Sequence, residues 1–207
     1  MKLAALILVS ASLAYFHPDA FAQDAAGAGQ NPAQSFNESG KTSVDGRAVS
    51  YVIRRLPVES FPDLPEAVAS VLSERGCLIP QTYQAHHPEN VIQGSFERPG
   101  SSDWAVLCSA HGKVELLVFF AENRGKPVMV ASAAELERIQ RHGSTGVFGF
   151  DWGIDAASPQ RVREAQAGMQ RKPPMLDHDA VMDTVLNEKT IYRYYVHGAW
   201  TAVDVPQ

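Results

Sequence analysis

The sequence predicts an α+β domain in which an antiparallel β-sheet carries a few short helices and one disulfide staples the fold. Two His-Gly pairs, His111-Gly112 and His197-Gly198, suit tight hairpin turns because glycine readily adopts a positive φ. Strand patterns outnumber helical ones along the chain, which favours an antiparallel sheet with helices inserted between strands. The clearest strand patterns, separated by turn residues, are at residues 90–97, 103–109 and 114–120.

The first 22 residues have the pattern of a signal peptide. Lys2 precedes an apolar run over residues 3–16, and Ala20-Phe21-Ala22 places small residues around a bulky one. The apolar run is shorter than the roughly 20 residues that a membrane-spanning helix needs. We therefore interpret residues 1–22 as a signal peptide and expect a periplasmic or secreted protein.

Residues 23–46 are rich in Ala, Gly, Gln, Asn and Ser and contain a single aromatic residue, Phe36. Such a stretch buries too little apolar surface to offset the entropy lost on ordering, which predicts a disordered arm. A single domain is then expected over residues 47–207, with its first strand at residues 48–53.

Helices are predicted where apolar spacing or capping residues indicate them. Gly76 suits the end of the first helix, Ser132 and Glu135 have capping-box spacing, and Ser158-Pro159 suits a helix start. The predicted helices are at residues 62–75, 132–143, 158–167 and 179–186. Further strands are predicted at residues 128–131, 147–152, 190–196 and 199–205.

Two cysteines, Cys77 and Cys108, follow the predicted signal peptide. In an oxidising compartment an even count favours one intramolecular disulfide, which here would close a loop of about 30 residues. A redox or metal role is the alternative, although the pair lacks C-x-x-C spacing. The expected bond would tie the end of the first helix to a strand that is apolar on both faces and therefore central.

The net charge of −5 excludes functions that need a basic surface. Nucleic-acid binding is not expected, because the sequence has no cluster of Lys and Arg that could displace counterions. No second apolar stretch reaches the length of a membrane span, so none is expected after removal of the signal peptide.

Asp177, Asp179 and Asp183 form the most suggestive acidic cluster. Such carboxylates can converge on a hard cation, and calcium is the one candidate cofactor. The alternative is helix capping, in which Asp177 or Asp179 accepts backbone N–H groups. No catalytic residue is assigned, since the sequence lacks G-x-S-x-G, S-x-x-K and zinc-ligand spacings.

Aromatic residues crowd the last predicted hairpin. Tyr192, Tyr194 and Trp200, with Arg193 among them, would make a binding surface if they were exposed, because Tyr, Trp and Arg dominate interface hot spots. If they were buried, they would be core and cross-strand packing. Both readings are compatible with the sequence.

Three segments and a later acidic stretch resemble a group of uncharacterised exported bacterial proteins. The three segments are Gly76-Cys77-Leu78-Ile79-Pro80-Gln81, Asn90-Val91-Ile92-Gln93-Gly94-Ser95-Phe96 and Asp103-Trp104-Ala105-Val106-Leu107-Cys108-Ser109. Members of that group carry a D-H-D-G-I-x-D segment before a Tyr-rich hairpin, where this chain has Asp177-His178-Asp179-Ala180-Val181-Met182-Asp183. Residues 94–106 also resemble the hairpins of FG-GAP repeats. The first resemblance implies export, and the second implies a similar form of β-hairpin. Neither implies an activity.

The combined observations predict a non-catalytic binding module for a protein, a glycan or an envelope component, of which a small hydrolase inhibitor is one form. The alternative is a metal-dependent or acid–base hydrolase that uses the carboxylates within residues 177–183 and a histidine such as His178. A third hypothesis is a structural or adaptor component of an envelope complex.

Overall fold

The computed structural model describes residues 35–144, 146–167 and 175–206, which lie within one compact unit that spans Pro32–Gln207. Side chains are described up to Asp204. The predicted signal peptide and residues 23–34 of the predicted arm lie outside the described residues. Within those residues, no helix is both long enough and apolar enough to cross a membrane.

Strands dominate the fold and make up 51% of the described residues. They are β1 (Phe36–Val44), β2 (Arg47–Leu56), β3 (Ile79–Gln81), β4 (Val91–Gly94), β5 (Asp103–Ala110), β6 (Lys113–Phe119), β7 (Val128–Ala134), β8 (Ile139–His142), β9 (Val147–Phe150), β10 (Trp152–Ala157), β11 (Ala180–Val185), β12 (Lys189–Val196) and β13 (Ala199–Pro206). The α-helices are α1 (Glu66–Glu74) and α2 (Pro159–Ala165), and short 3-10 turns occur at Val58–Ser60 and Glu135–Glu137.

The strands form three sheets rather than one. The first sheet has the order β1-β2-β9-β8 with β3 paired to β2, the second has β4-β5-β6-β7, and the third has β10-β11-β12-β13. Pairing between these strands is antiparallel except for β2 with β9, which is parallel. The predicted antiparallel architecture is confirmed, while the low helix content makes α+β a loose description.

The His-Gly turn patterns and the Ser158 cap are confirmed. His111-Gly112 and His197-Gly198 each place both residues at positive φ, between +52° and +80°, as the right-handed twist of a two-residue hairpin requires. Ser158 caps α2, because its hydroxyl accepts a backbone N–H of the first helical turn with an N···O distance of 3.3 Å.

The predicted disordered arm is wrong for residues Phe36–Val44, which form β1. This strand pairs with β2 along its whole length, from Phe36 opposite Arg55 to Val44 opposite Arg47. Its side chains are mostly exposed, so backbone pairing rather than apolar burial holds it in place. The folded domain therefore begins before residue 47.

Two predicted helices are strands in the structure. Between Ser132 and Gly143 the chain forms the end of β7, a 3-10 turn and β8, because Glu135 is buried against Arg55 instead of capping a helix. The segment predicted as a helix at residues 179–186 contains β11, which β10 and β12 pair on its two edges. In both places long-range pairing outweighs the local helical pattern.

The predicted disulfide joins Cys77 and Cys108, whose Cα atoms are 5.1 Å apart. It ties the end of α1 to β5. One face of β5 packs under α1 in an apolar cluster that includes Val68, Leu72, Trp104, Val106 and both cysteines. The opposite face packs in a second cluster that includes Ile53, Ala105, Leu107, Phe150 and Trp152. The strand is therefore buried on both faces, as its composition predicts.

Asp151 divides the predicted strand at residues 147–152 into β9 and β10. Its carboxylate is buried, and Oδ1 has no hydrogen-bond partner among the described residues. Burial raises the pKa of Asp151 from 3.8 to about 6, against the lowering effect of the nearby Arg138 charge. At neutral pH the ionised carboxylate therefore opposes folding.

We expect Asp151→Asn to raise the free energy of unfolding by up to about 3 kcal/mol at about pH 7.5, the free energy that corresponds to a pKa raised from 3.8 to about 6. As the pH falls, the native state binds this proton near pH 6, whereas the unfolded state binds it only near pH 3.8. The stability difference between Asp151→Asn and the wild-type protein therefore shrinks as the pH falls through that window. Urea denaturation at about pH 7.5 and about pH 4 measures both values. An equal gain at the two pH values would contradict the assignment.

Candidate functional site

Asp183 is the most buried carboxylate of the predicted calcium site, with 1% of its surface exposed. Its Oδ1 accepts a hydrogen bond from Trp152 Nε1 at 2.7 Å, and its Oδ2 accepts one from Arg193 Nε at 2.6 Å. Protein donors thus occupy both oxygens and hold β11 between β10 and β12. The carboxylate has a structural role.

Asp177 and Asp179 face other partners. Asp179 Oδ2 accepts the backbone N–H of Ser95 with an N···O distance of 3.0 Å. Asp177 Oδ1 lies 2.7 Å from His178 Nδ1, and this hydrogen bond lowers the pKa of Asp177. The other ring nitrogen, His178 Nε2, lies 2.8 Å from the carbonyl oxygen of Tyr195. In the described part of the chain, no group of three His, Cys, Asp or Glu residues could hold a metal ion. The predicted convergence of the three carboxylates is therefore wrong.

The aromatic hairpin is mainly packing. Tyr192 and Tyr194 are 6% and 1% exposed, because the alternation along β12 turns both side chains into a core cluster. Arg193, on the other face of β12, is held by its carboxylate partner. Trp200 is half-buried, and its ring lies parallel to that of Phe120 with 6.2 Å between centroids. Of the two alternatives, core packing applies to Tyr192 and Tyr194, and Tyr192, Tyr194, Arg193 and Trp200 do not form one exposed surface.

A cleft of ≈ 670 Å³ lies between the loop that precedes α1 and strands β4 and β5. Its volume is in the range that holds a drug-sized ligand. We call it the Trp104 cleft, after the side chain of β5 that lines it. The other lining residues used below are Ser60, Phe61, Asp63, Leu64, Gln93, Ser102 and Arg124, together with Pro62, Pro65 and Pro88.

Prolines and one buried leucine fix the loop that borders the Trp104 cleft. Pro62 and Pro65 lie within this loop, where each locks its own φ and contributes no backbone N–H. Leu64, between them, is buried in the same apolar cluster as Val68 of α1 and Trp104. The loop is thus anchored to the core and restricted in its backbone, so the cleft is largely preformed.

Three buried polar atoms on side chains that line the Trp104 cleft have no hydrogen-bond partner in the described part of the protein. They are Ser60 Oγ, Trp104 Nε1 and Arg124 Nε, which are three of the six such side-chain atoms in the described residues. A buried polar group without a partner costs roughly 1–3 kcal/mol, which is why most are paired. Each of these atoms has almost no solvent-accessible surface, so it lies behind the surface of the cleft, and its missing partner does not by itself mark a ligand contact.

Arg124 gives the Trp104 cleft a positive charge without a protein counter-charge. Its Nη2 donates to the carbonyl oxygen of Ser102 at 3.3 Å, and no described carboxylate lies within ion-pair distance of its guanidinium. Asp63 is the only carboxylate among the lining residues, and it is exposed to solvent. The cleft can therefore accommodate one negative charge beside Arg124.

A second cavity of ≈ 440 Å³ lies beside Tyr83 and His142, whose rings stack with 4.8 Å between centroids. The hydroxyl of Tyr83 already has partners, because Oη accepts from Asn187 Nδ2 at 2.9 Å and donates to Gln140 Oε1 at 3.1 Å. A side chain at Gly149 would bring its Cβ to 2.6 Å from Tyr83 Cβ, so glycine is needed beneath the stack. This arrangement is structural packing, and the Trp104 cleft is the better candidate site.

The sequence-based reasoning missed every residue of the Trp104 cleft as a functional residue. The only local pattern is the run of aromatic, proline and acidic residues at positions 61–65, because Trp104 and Arg124 join it only in three dimensions. No protein-family model, no curated protein and no solved structure matches this chain. Function is therefore inferred from the geometry and chemistry of the cleft.

Proposed function

We propose that this protein is an exported, non-catalytic binding module whose ligand occupies the Trp104 cleft. The observation that carries the proposal is a cleft of ≈ 670 Å³ with restricted walls, in which the guanidinium of Arg124 has no carboxylate partner among the described residues. A negatively charged group of the ligand would complete an ion pair with Arg124 that the described part of the protein does not supply.

The lining of the Trp104 cleft favours binding over catalysis. Acid–base chemistry needs two titratable groups that exchange a proton near neutral pH. The cleft offers Asp63 and the permanently charged Arg124, and no histidine stands among its lining residues to activate Ser60. The hydrolase alternative, which relies on the carboxylates at positions 177–183, loses support because each of them has a separate structural partner.

Export is supported by two features. Residues 1–22 have the signal-peptide pattern, and the Cys77–Cys108 disulfide is typical of proteins that function in an oxidising compartment. We therefore place the module in the periplasm or outside the cell, with a protein, a glycan or another envelope component as its partner.

Two matched tryptophan variants separate the proposed binding role from structural roles. Trp104→Phe removes an N–H that has no protein partner, whereas Trp152→Phe removes the N–H that binds Asp183 and leaves that carboxylate partly unsatisfied. Both lose a similar volume, so we expect Trp152→Phe to be more destabilising by about 1–3 kcal/mol. Urea denaturation of both variants measures the difference. Equal destabilisation would indicate that Trp104 Nε1 has a partner within the fold.

Retention of envelope components tests the function itself. The mature protein, Trp104→Phe, Arg124→Met and the control Trp152→Phe are immobilised, incubated with an envelope extract and washed, and the bound material is quantified by mass spectrometry. We expect components that are retained by the wild-type protein and by Trp152→Phe to be lost from both cleft variants. If the cleft variants retain everything that the wild type retains, the Trp104 cleft is not the binding site.

A further inference from the structure

We infer that strand β1 is a self-association surface, along which a second copy of this chain pairs antiparallel and extends the first sheet across both copies. This inference does not depend on the Trp104 cleft. It follows from the length of the open edge of β1, from the direction of its backbone hydrogen-bonding groups and from the residues that a symmetric pairing brings together.

β1 presents the longest open edge of the three sheets. It has nine residues in unbroken register with β2, whereas the edge strands β4 and β8 have four residues each. β7 shifts its register against β6, and β13 contains Pro206. In the described part of the chain, β1 pairs only with β2. A long edge without proline or a bulge lacks most of the features that prevent pairing with another chain.

The turn that follows β1 fixes which of its backbone groups face outward. Asp45 and Gly46 form a two-residue turn, both at positive φ, and place Val44 opposite Arg47. The residues that flank such a turn exchange both backbone hydrogen bonds, and this repeats at every second residue along an antiparallel pair. Every second residue back from Val44 therefore bonds to β2. The outward-facing residues, whose N–H and C=O groups point away from β2, are Asn37, Ser39, Lys41 and Ser43.

A pairing centred on Gly40 uses the whole of this edge. A twofold axis at Gly40 sets Asn37 opposite Ser43 of the second copy and Ser39 opposite Lys41 of the second copy. Each outward-facing residue then exchanges both of its backbone hydrogen bonds with another outward-facing residue. The two edges are therefore complementary to each other without any change in the backbone of β1.

The same register forms an apolar contact at each end of the strand pair. Phe36 is 43% exposed and begins β1, so it falls opposite Val44 at the end of β1 in the second copy. Both residues are at positions that are not hydrogen-bonded between the copies, where facing side chains approach most closely. Association therefore removes from water part of an aromatic side chain that a single copy exposes.

The charges of β1 also permit this register. Lys41 lies opposite Ser39 of the second copy, and Glu38 lies opposite Thr42, so no two like charges are directly opposed. An axis at Lys41 would oppose two lysines. An axis at Ser39 would place Ser43 beyond the start of the second strand. The Gly40 register is therefore the symmetric pairing that β1 favours.

Sedimentation velocity and amide hydrogen exchange of the mature protein test the association. We expect a monomer–dimer equilibrium with a Kd on the order of 100 μM, because an interface made by one strand pair is small. Between about 50 μM and about 1 mM protein, exchange at the four outward-facing amides should slow several-fold, while exchange at Gly40, which bonds to β2, stays unchanged. A protein that remains monomeric at about 1 mM, or a dimer in which the outward-facing amides gain no protection, overturns the inference.

Substitutions at the exposed Ser39 test the register. Ser39→Lys opposes like charges at both Ser39–Lys41 pairs and should raise the Kd about fivefold, whereas Ser39→Glu opposes unlike charges and should lower it about fivefold. Ser39→Pro removes an outward N–H that the fold does not use and should abolish the dimer, and Ser39→Ala is the matched control that dimerises like the wild type. NMR spectra establish that each variant is folded, and the charge variants leave the backbone intact if Ser39→Pro misfolds. Equal Kd values for Ser39→Lys and Ser39→Glu, or a folded Ser39→Pro that still dimerises, would overturn the pairing along β1.

Discussion

Replacing Glu135 by Gln is expected to destabilise this protein by about 3–5 kcal/mol, because the change removes the buried partner of a buried guanidinium. Arg55 is 8% exposed and Glu135 is 3% exposed. Arg55 Nε donates to Glu135 Oε1 at 2.9 Å, and Nη2 contacts Glu135 Oε2. Ser109 Oγ also donates to Glu135 Oε1, at 2.7 Å, so a single carboxylate accepts from three donor atoms on two buried side chains. Urea denaturation of the mature protein measures the loss.

Glu38 provides the matched control, since it binds the same guanidinium from the surface. Its Oε2 accepts from Arg55 Nη2 at 2.8 Å, but the side chain is half-exposed. Hydrogen bonds from Arg55 and Tyr51 lower the pKa of Glu38, although solvent screens the pair. We expect Glu38→Gln to cost about 0–1 kcal/mol. Similar losses for the two substitutions would contradict the buried character of the Arg55–Glu135 pair.

Replacing both Arg55 and Glu135 distinguishes the effect of an unpaired buried charge from the effect of lost packing. In the double variant Arg55→Met with Glu135→Leu, no charge remains buried, and apolar side chains of similar size occupy the space. Buried ion pairs replaced in this way are often neutral or even stabilising relative to the original pair. We therefore expect the double variant to be more stable than Glu135→Gln. If the double variant is less stable than Glu135→Gln, lost packing rather than an unpaired buried charge explains the destabilisation.

The same ion pair explains where the sequence-based predictions fail. Ser132 and Glu135 have the spacing of a capping box, but Arg55 binds Glu135 from 80 positions away in the sequence. Likewise, Phe36–Val44 has the composition of a disordered segment, and only its pairing with β2 orders it. Such partners cannot be read from a local window. The His-Gly turns and the central strand β5 are predicted well because a few adjacent residues specify them.

The candidate site depends even more strongly on residues that are distant from one another in the sequence. The strand that carries Trp104 is predictable from its alternation, but its unpartnered indole N–H is visible only once the surrounding side chains are placed. The Trp104 cleft combines residues 60–65 with others as distant as Arg124. The predicted sites at residues 177–183 and in the last hairpin instead lie close together in sequence, and folding directs their side chains into separate structural contacts.

Replacing Cys77 and Cys108 together by Ala is expected to cost about 3–4 kcal/mol, the loop-closure entropy associated with a bond between residues 31 positions apart. For a domain of this size the loss lowers the melting temperature by roughly 10 °C. Both cysteines are buried, so alanine is preferred to serine because it adds no unsatisfied hydroxyl. Thermal and urea denaturation of the natively purified protein measure the effect, and mass spectrometry establishes that the wild type is oxidised.

The position of the disulfide predicts an effect on binding as well. Cys108 lies on the same face of β5 as Trp104, and Cys77 follows α1, whose preceding loop borders the Trp104 cleft. Without the bond, α1 is held on the sheet by apolar contacts, the exposed Arg75–Glu115 ion pair and the backbone pairing of Leu78 with Ser109. We therefore expect the loop before α1 to be less well ordered, so that the ligand must bear part of the cost of ordering it. We expect the double Ala variant to bind the same ligand more weakly even below its melting temperature, and the wild-type protein reduced by dithiothreitol after mild unfolding to match it. Unchanged stability in the double variant, or two free thiols in the native wild type, would show that the chain does not depend on this crosslink.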